Sequence, residues 1–123
     1  MILPGDHAAW LETVVDTAEV NRWLAYAVID RRERALRTLK GWPDLTLVRE
    51  QIVYVELKTG QARLRRGQIE VARRLMVAGG RVYLWHPEMW DAITAFLETG
   101  RNGPGELGRT PGWLLEVSID ATE

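Results

Sequence analysis

Cysteine is absent from this chain of 123 residues, which excludes disulfides, thiolate zinc sites and a cysteine nucleophile before any motif is weighed. That suits a reducing cytosol. No apolar run approaches membrane-spanning length, and residues 1–6 lack a charged region followed by a long apolar one. The expectation is a soluble, cytoplasmic protein with no membrane partner. A basic excess is missing too: 16 Lys and Arg against 17 Asp and Glu leave a formal charge of −1, unlike a constitutive, sequence-blind DNA coat. There is no Gly-rich phosphate loop, no arguable Ser-His-Asp arrangement, no internal repeat and no low-complexity tract. The two histidines, His7 and His86, stand far apart without ligand spacing and read as structural or surface residues.

What is present is ordinary for a packed fold: 46% apolar residues in a length that suits one domain over 1–123. The positive charge is clustered. Arg31, Arg32, Arg34, Arg37 and Lys40 crowd the segment before Gly41, and Lys58, Arg63, Arg65, Arg66, Arg73 and Arg74 crowd another around Gly67. Each cluster is either a solvated surface or a local footprint for nucleic acid.

Residues 6–22 read as a helix with Asp6 as N-cap, because Leu11, Val14, Val15 and Ala18 recur at helical spacing. Residues 23–29 read as a strand and 30–40 as loop or short helix, ended by Gly41-Trp42-Pro43. Two apolar runs, 45–48 and 52–57, surround Arg49-Glu50-Gln51 and form an antiparallel hairpin. A helix over 67–78 stops at Gly79-Gly80. A strand at 81–85, a helix at 88–98, a loop over 100–112 and a terminal strand at 113–119 complete the reading. The order α-β-β-β-α-β-α implies an α/β or α+β fold, a mixed sheet flanked by helices, with the helix after Lys58 as crossover.

Alternation along residues 52–58 puts Val53, Val55 and Leu57 on a core face and Ile52, Tyr54, Glu56 and Lys58 on the other. A Glu-x-Lys pair alone is commonly a solvated ion pair. Asp44 alters the weighing, because it opens the preceding strand and lies near Glu56 if the hairpin forms. Two close carboxylates repel unless a cation sits between them, and magnesium favours oxygen donors. A lysine beside such an ion can stabilise charge developing on phosphate. Asp44, Glu56 and Lys58 thus hold the parts needed to hydrolyse a phosphodiester. If Leu45, Leu47, Val53, Val55 and Leu57 share one buried face, paired residues must sum to an even number. A loop centred on Glu50 meets this, pairing Val48 with Ile52, Thr46 with Tyr54 and Asp44 with Glu56.

Gly41-Trp42-Pro43-Asp44-Leu45, then Glu56-Leu57-Lys58, then Gln68, with Gly80-Arg81-Val82 following, resembles the PD-(D/E)XK nuclease superfamily, in particular its VRR-NUC branch. The likeness covers roughly residues 10–93. It implies a restriction-endonuclease-like fold and a magnesium-dependent endodeoxyribonuclease, with Mn2+ as a substitute ion. The ion would be held by Asp44, Glu56 and the backbone carbonyl of Leu57, Lys58 would take the catalytic role, and Gln68 would support the site or contact DNA. It further implies a phage or mobile-element protein, working in an infected or bacterial cell as a homodimer on branched DNA such as Holliday junctions. The family usually carries an acid on the first helix near the positions of Ala8 and Ala9. Glu12, one turn beyond Ala8 on the same face, is the substitute candidate, against its reading as a surface glutamate. Two rivals stand beside the nuclease: a catalytically silent nucleic-acid-binding module of the same fold, and a structural domain with a solvated Glu56–Lys58 pair.

Overall fold

The computed structural model describes residues 5–28 and 40–108. The basic stretch before Lys40 and the expected strand at 113–119 lie outside the described residues. Helix α1 (His7–Val20) starts where expected: the Asp6 carboxylate accepts the Ala9 N–H at 2.8 Å, satisfying one of the donors a helix start leaves open. Its inward stripe is Trp10, Leu11, Val14 and Ala18.

Strand β1 is shorter than its apolar run, spanning Leu24–Ala27. Trp23 leaves the strand to become a core anchor, 2% exposed, with its indole N–H donating to the Leu97 carbonyl at 2.8 Å. Strands β2 (Leu45–Val48) and β3 (Ile52–Leu57) follow, then α2 (Arg66–Val77) and β4 (Arg81–Trp85). A 3-10 turn at Pro87–Met89 precedes α3 (Trp90–Thr99), so the last helix starts later than expected. Proline suits a first helical turn because its missing N–H has no partner to lose there.

The sheet order is β1-β2-β3-β4, antiparallel except for the parallel β3–β4 pair that α2 crosses over to make. Among the described residues this is an α/β arrangement, a four-stranded mixed sheet flanked by helices. The β2–β3 register pairs Val48 with Ile52 and Thr46 with Tyr54, the even-sum register the apolar pattern requires. The connection is residues 49–51, closed by the Arg49 N–H donating to the Gln51 carbonyl at 3.0 Å.

One face of the sheet presents Leu45, Leu47, Val53, Val55, Leu57, Tyr83 and Trp85 to α1 and α3. Phe96, the only phenylalanine, touches the rings of Trp23, Tyr83 and Trp85 at 5.5–5.9 Å between centroids, in the tilted and edge-on geometries aromatic rings prefer. Helix α2 packs against β4 and buries Ile69 and Ala72. Where α2 does not reach, Leu24 (73% exposed), Tyr26 (67%) and Ile52 (53%) remain open to solvent.

The hairpin loop is tied to the helices by Arg49. Its guanidinium donates to the carbonyls of Asn21 (3.1 Å), Leu97 (3.0 Å) and Glu98 (3.4 Å), and lies 4.7 Å over the Trp23 ring. It also holds the exposed Glu50 carboxyl below its usual range through their hydrogen bonds. Hydrogen bonds from a charged donor contribute about 1.5–3 kcal/mol where the partner would otherwise be left wanting. Arg49→Ala is therefore expected to lower unfolding stability by about 2 kcal/mol in urea denaturation, with an unchanged slope. A change under about 0.5 kcal/mol, the range of an ordinary surface substitution, would contradict this role.

Candidate functional site

The candidate site lies where β2 begins and β3 ends. Gly41 makes the turn into it, at φ +90°, and a Cβ there would stand 2.5 Å from the Gly67 carbonyl oxygen and 2.9 Å from the Gln68 nitrogen. Only glycine admits both the backbone angle and the contact. This close approach sets the turn directly on the first residues of α2. Trp42 then packs edge-on against Tyr54, centroids 6.1 Å apart, and Pro43 and Asp44 are buried.

Asp44 is 7% exposed. Its Oδ2 accepts the Leu57 N–H at 2.9 Å, while its own carbonyl accepts the Val28 N–H at 3.0 Å. The carboxylate therefore stands in for the strand partner that Leu57 would otherwise have. In an antiparallel ladder a residue directs its N–H and C=O toward the same neighbour, so the Leu57 carbonyl also faces the Asp44 side. Continuing the β2–β3 register by one residue sets Asp44 opposite Glu56.

Glu56 is 0% exposed. It lies on the face expected for it, opposite Val53, Val55 and Leu57, and sits between β2 and β4, opposite Leu84, under the side of the sheet that α2 covers. Burying a carboxylate is costly without a compensating cation or donors. Lys58 is half-buried and follows on the same side of the strand; its backbone N–H donates to the Trp85 carbonyl at 3.1 Å. The expected neighbourhood of Asp44, Glu56, Leu57 and Lys58 is thus assembled by the hairpin.

Gln68 and Glu12 come out differently. The Gln68 amide oxygen accepts the Arg65 N–H at 2.8 Å and the side chain is buried. It completes the first turn of α2, which rests on Gly41, so its part is to hold the turn that carries Asp44. Glu12 is exposed on α1, and the residue of that helix facing Asp44 is His7, whose Nε2 lies 3.3 Å from Asp44 Oδ2. Five residues at about 100° each place Glu12 about 140° around the helix from His7, so one helix cannot turn both toward Asp44.

His7 is the residue that sequence reading set aside. The signal for it was present: it lies three and four residues before Trp10 and Leu11 of the inward stripe, and directly after the N-cap. Among the described residues no three His, Cys, Asp or Glu side chains form a group that could hold a metal. An ion at Asp44 would therefore draw on backbone oxygen and water as well, which is how magnesium is commonly bound.

Several exposed side chains around this end are basic: Arg63, Arg65 and Arg66 precede and open α2, and Arg73 and Arg74 continue along it, with Glu70 exposed between them. The open recess of about 410 Å³ lined by Arg81, Asn102, Gly103 and Glu106 belongs to the start of β4, away from Asp44. There Arg81 is ion-paired with Glu106 at 3.2 Å.

The contact between turn and helix gives a direct expectation. Gly41→Ala combines a left-handed backbone angle with overlap on immobile backbone, together costing about 2–4 kcal/mol, and should lower the melting temperature by roughly 6–20 °C. An unchanged melting curve would show that the turn does not rest on α2 as described. Comparison with protein-family models, with curated proteins and with solved structures finds no match for this chain.

Proposed function

We propose that this protein is a metal-dependent endonuclease that hydrolyses DNA phosphodiester bonds, with a restriction-endonuclease-like fold of the VRR-NUC kind. The observation that carries the reading is the hairpin register, which brings Asp44 to the Leu57 N–H and opposite Glu56. A site of one polar strand end, two carboxylates and a lysine, edged by exposed arginines, suits an anionic polymer whose reaction develops negative charge.

Asp44, Glu56 and the Leu57 carbonyl would hold magnesium, with manganese as substitute. Such an ion supplies Lewis acidity toward a phosphoryl oxygen and lowers the pKa of bound water. The Lys58 ammonium faces the charge that grows on phosphate. The exposed arginines of α2 and the segment before it carry the backbone of the nucleic acid, a contact that positions without reading sequence. Gln68 keeps the first turn of α2 under Gly41.

The test is incubation with linear, nicked and four-way-junction DNA, with magnesium, with manganese and with chelator. Cleavage is expected only with a divalent ion. It should fall at least about a hundredfold in Asp44→Asn, Glu56→Gln and Lys58→Ala, amide variants being chosen because Glu56 is wholly buried. Cleavage in chelator, or undiminished in Asp44→Asn, would overturn the reading. The exposed arginines would equally serve a binding module, and junction DNA bound but never cut with either metal would favour that alternative.

The protein also acts as a homodimer in this reading. Leu24 pairs with Val48, which pairs with Ile52, and Tyr26 with Thr46, which pairs with Tyr54. Those rows leave three large apolar side chains exposed beside β1, which among the described residues is an edge strand whose residues include no charge or proline. Light scattering should give a dimer at micromolar concentration and a monomer for the Leu24→Lys, Tyr26→Lys double variant. A monomeric parent, with or without DNA, would remove this part of the proposal.

A further inference from the structure

We infer that the corner formed by the rings of Trp42 and Tyr54 is a stacking site for an unpaired base, so that the strand offered for cleavage is single-stranded DNA. The inference rests on the nuclease reading above and narrows its substrate.

The two rings stand beside the residues of that reading. Trp42 lies two residues before Asp44, and Tyr54 two residues before Glu56 on the same face of β3, about 6.7 Å back along the strand. Their planes meet at 87° with centroids 6.1 Å apart, and both side chains are half-buried. Perpendicular rings give a planar base one face to lie on and one edge to abut, the two geometries that aromatic systems prefer.

The surroundings hold this corner in shape and leave it open. On one side of Tyr54 stands Gly80, where a Cβ would come 3.3 Å from the ring's Cε2, so the chain leaving α2 closes against the ring without a side chain. On another side β2 presents Thr46 directly opposite Tyr54, and a threonine is too short to cover a tyrosine ring. Trp42 is held from behind, because the close approach of Gly41 to Gly67 and Gln68 ties its turn to the start of α2.

Charge selects the occupant. Lys40 is exposed immediately before the turn, and Arg65 and Arg66 are exposed where α2 meets Gly41. Rings alone would suit many apolar ligands, whereas rings bordered by cations suit a chain in which bases alternate with phosphates. In a duplex each base face is covered by its neighbours, so a site that needs a base face takes an unpaired nucleotide. The corner and Glu56 are within one nucleotide's reach. The phosphodiester beside the stacked base is thus the one presented to Asp44, Glu56 and Lys58.

The test is binding of the full chain to labelled oligothymidylate, to an abasic strand of equal length and to blunt duplex, followed by fluorescence anisotropy in chelator so that no strand is cut. The parent should hold the oligothymidylate at least about fivefold tighter than the abasic strand, the effect of one stacked base, and tighter than the duplex. Trp42→Leu, which keeps apolar packing and loses the ring, should abolish that preference; Tyr54→Leu should reduce it and Trp42→Phe should retain it, all with the parent's circular dichroism spectrum. The slope of log affinity against log salt should be unchanged in Trp42→Leu and shallower by about 0.7 in Arg65→Ala and in Arg66→Ala. A parent that binds oligothymidylate and abasic strand alike, or a Trp42→Leu variant with the parent's preference, would overturn the inference, and the first result needs no variant to fold. Base-blind binding with metal-dependent cleavage intact would overturn the inference alone. Stacking without cleavage in either metal would instead overturn the nuclease reading and leave the base site standing.

Discussion

The hydrogen bond from the Leu57 N–H to the Asp44 carboxylate, 2.9 Å long and buried, closes the β2–β3 ladder with a side chain in place of a backbone carbonyl. Everything proposed for this protein depends on it. It holds a carboxylate at the sheet end, turns the Leu57 carbonyl to the same side and sets Glu56 across from Asp44. A slip of one residue in the hairpin would expose Leu45, Leu47 and their partners while separating the two acids. The apolar core, with no part in chemistry, thereby enforces the geometry of the site.

The two ends of the sheet use charge differently. At the hairpin end Arg49 is spent on structure, satisfying carbonyls at the ends of α1 and α3 and stacking over Trp23. Nearby, Arg81 donates to Gln51 and Glu106. At the opposite end the helices α1 and α2 both begin, bringing N–H groups and partial positive charge, and Arg66, Arg73 and Arg74 are exposed on α2 beside Glu70. A sheet end with paired charges provides rigidity, while one with acids inside and bases outside suits an anionic substrate held over a cation.

Much of this was legible in the sequence because period-two alternation and turn chemistry act locally. The register followed from five apolar residues, and Gly41-Trp42-Pro43 announced a turn before any contact was known. Glycine's necessity at position 41 was not legible, since it depends on Gly67 arriving from a helix far along the chain. Glu56 was placed on the correct face, but its burial depends on how α2 crosses over that face, which alternation within a strand does not encode. Glu12 was drawn from its helical relation to Ala8, whereas the face of α1 that meets Asp44 is fixed by Trp10 bonding to Trp85 across the fold. His7 stands one turn before Trp10 and Leu11, at the exposed start of α1. Its nearness to Asp44 depends on how α1 docks on the sheet, which helical spacing within α1 does not encode.

The central claim is that the end of the β2–β3 hairpin is a cation site. Anomalous X-ray scattering from crystals of the full chain soaked in Mn2+ tests it most directly. The account predicts a manganese peak bonded to the Asp44 and Glu56 carboxylates and the Leu57 carbonyl at about 2.0–2.3 Å. A map with manganese only at other surface carboxylates, and none between Asp44 and Leu57, would contradict it.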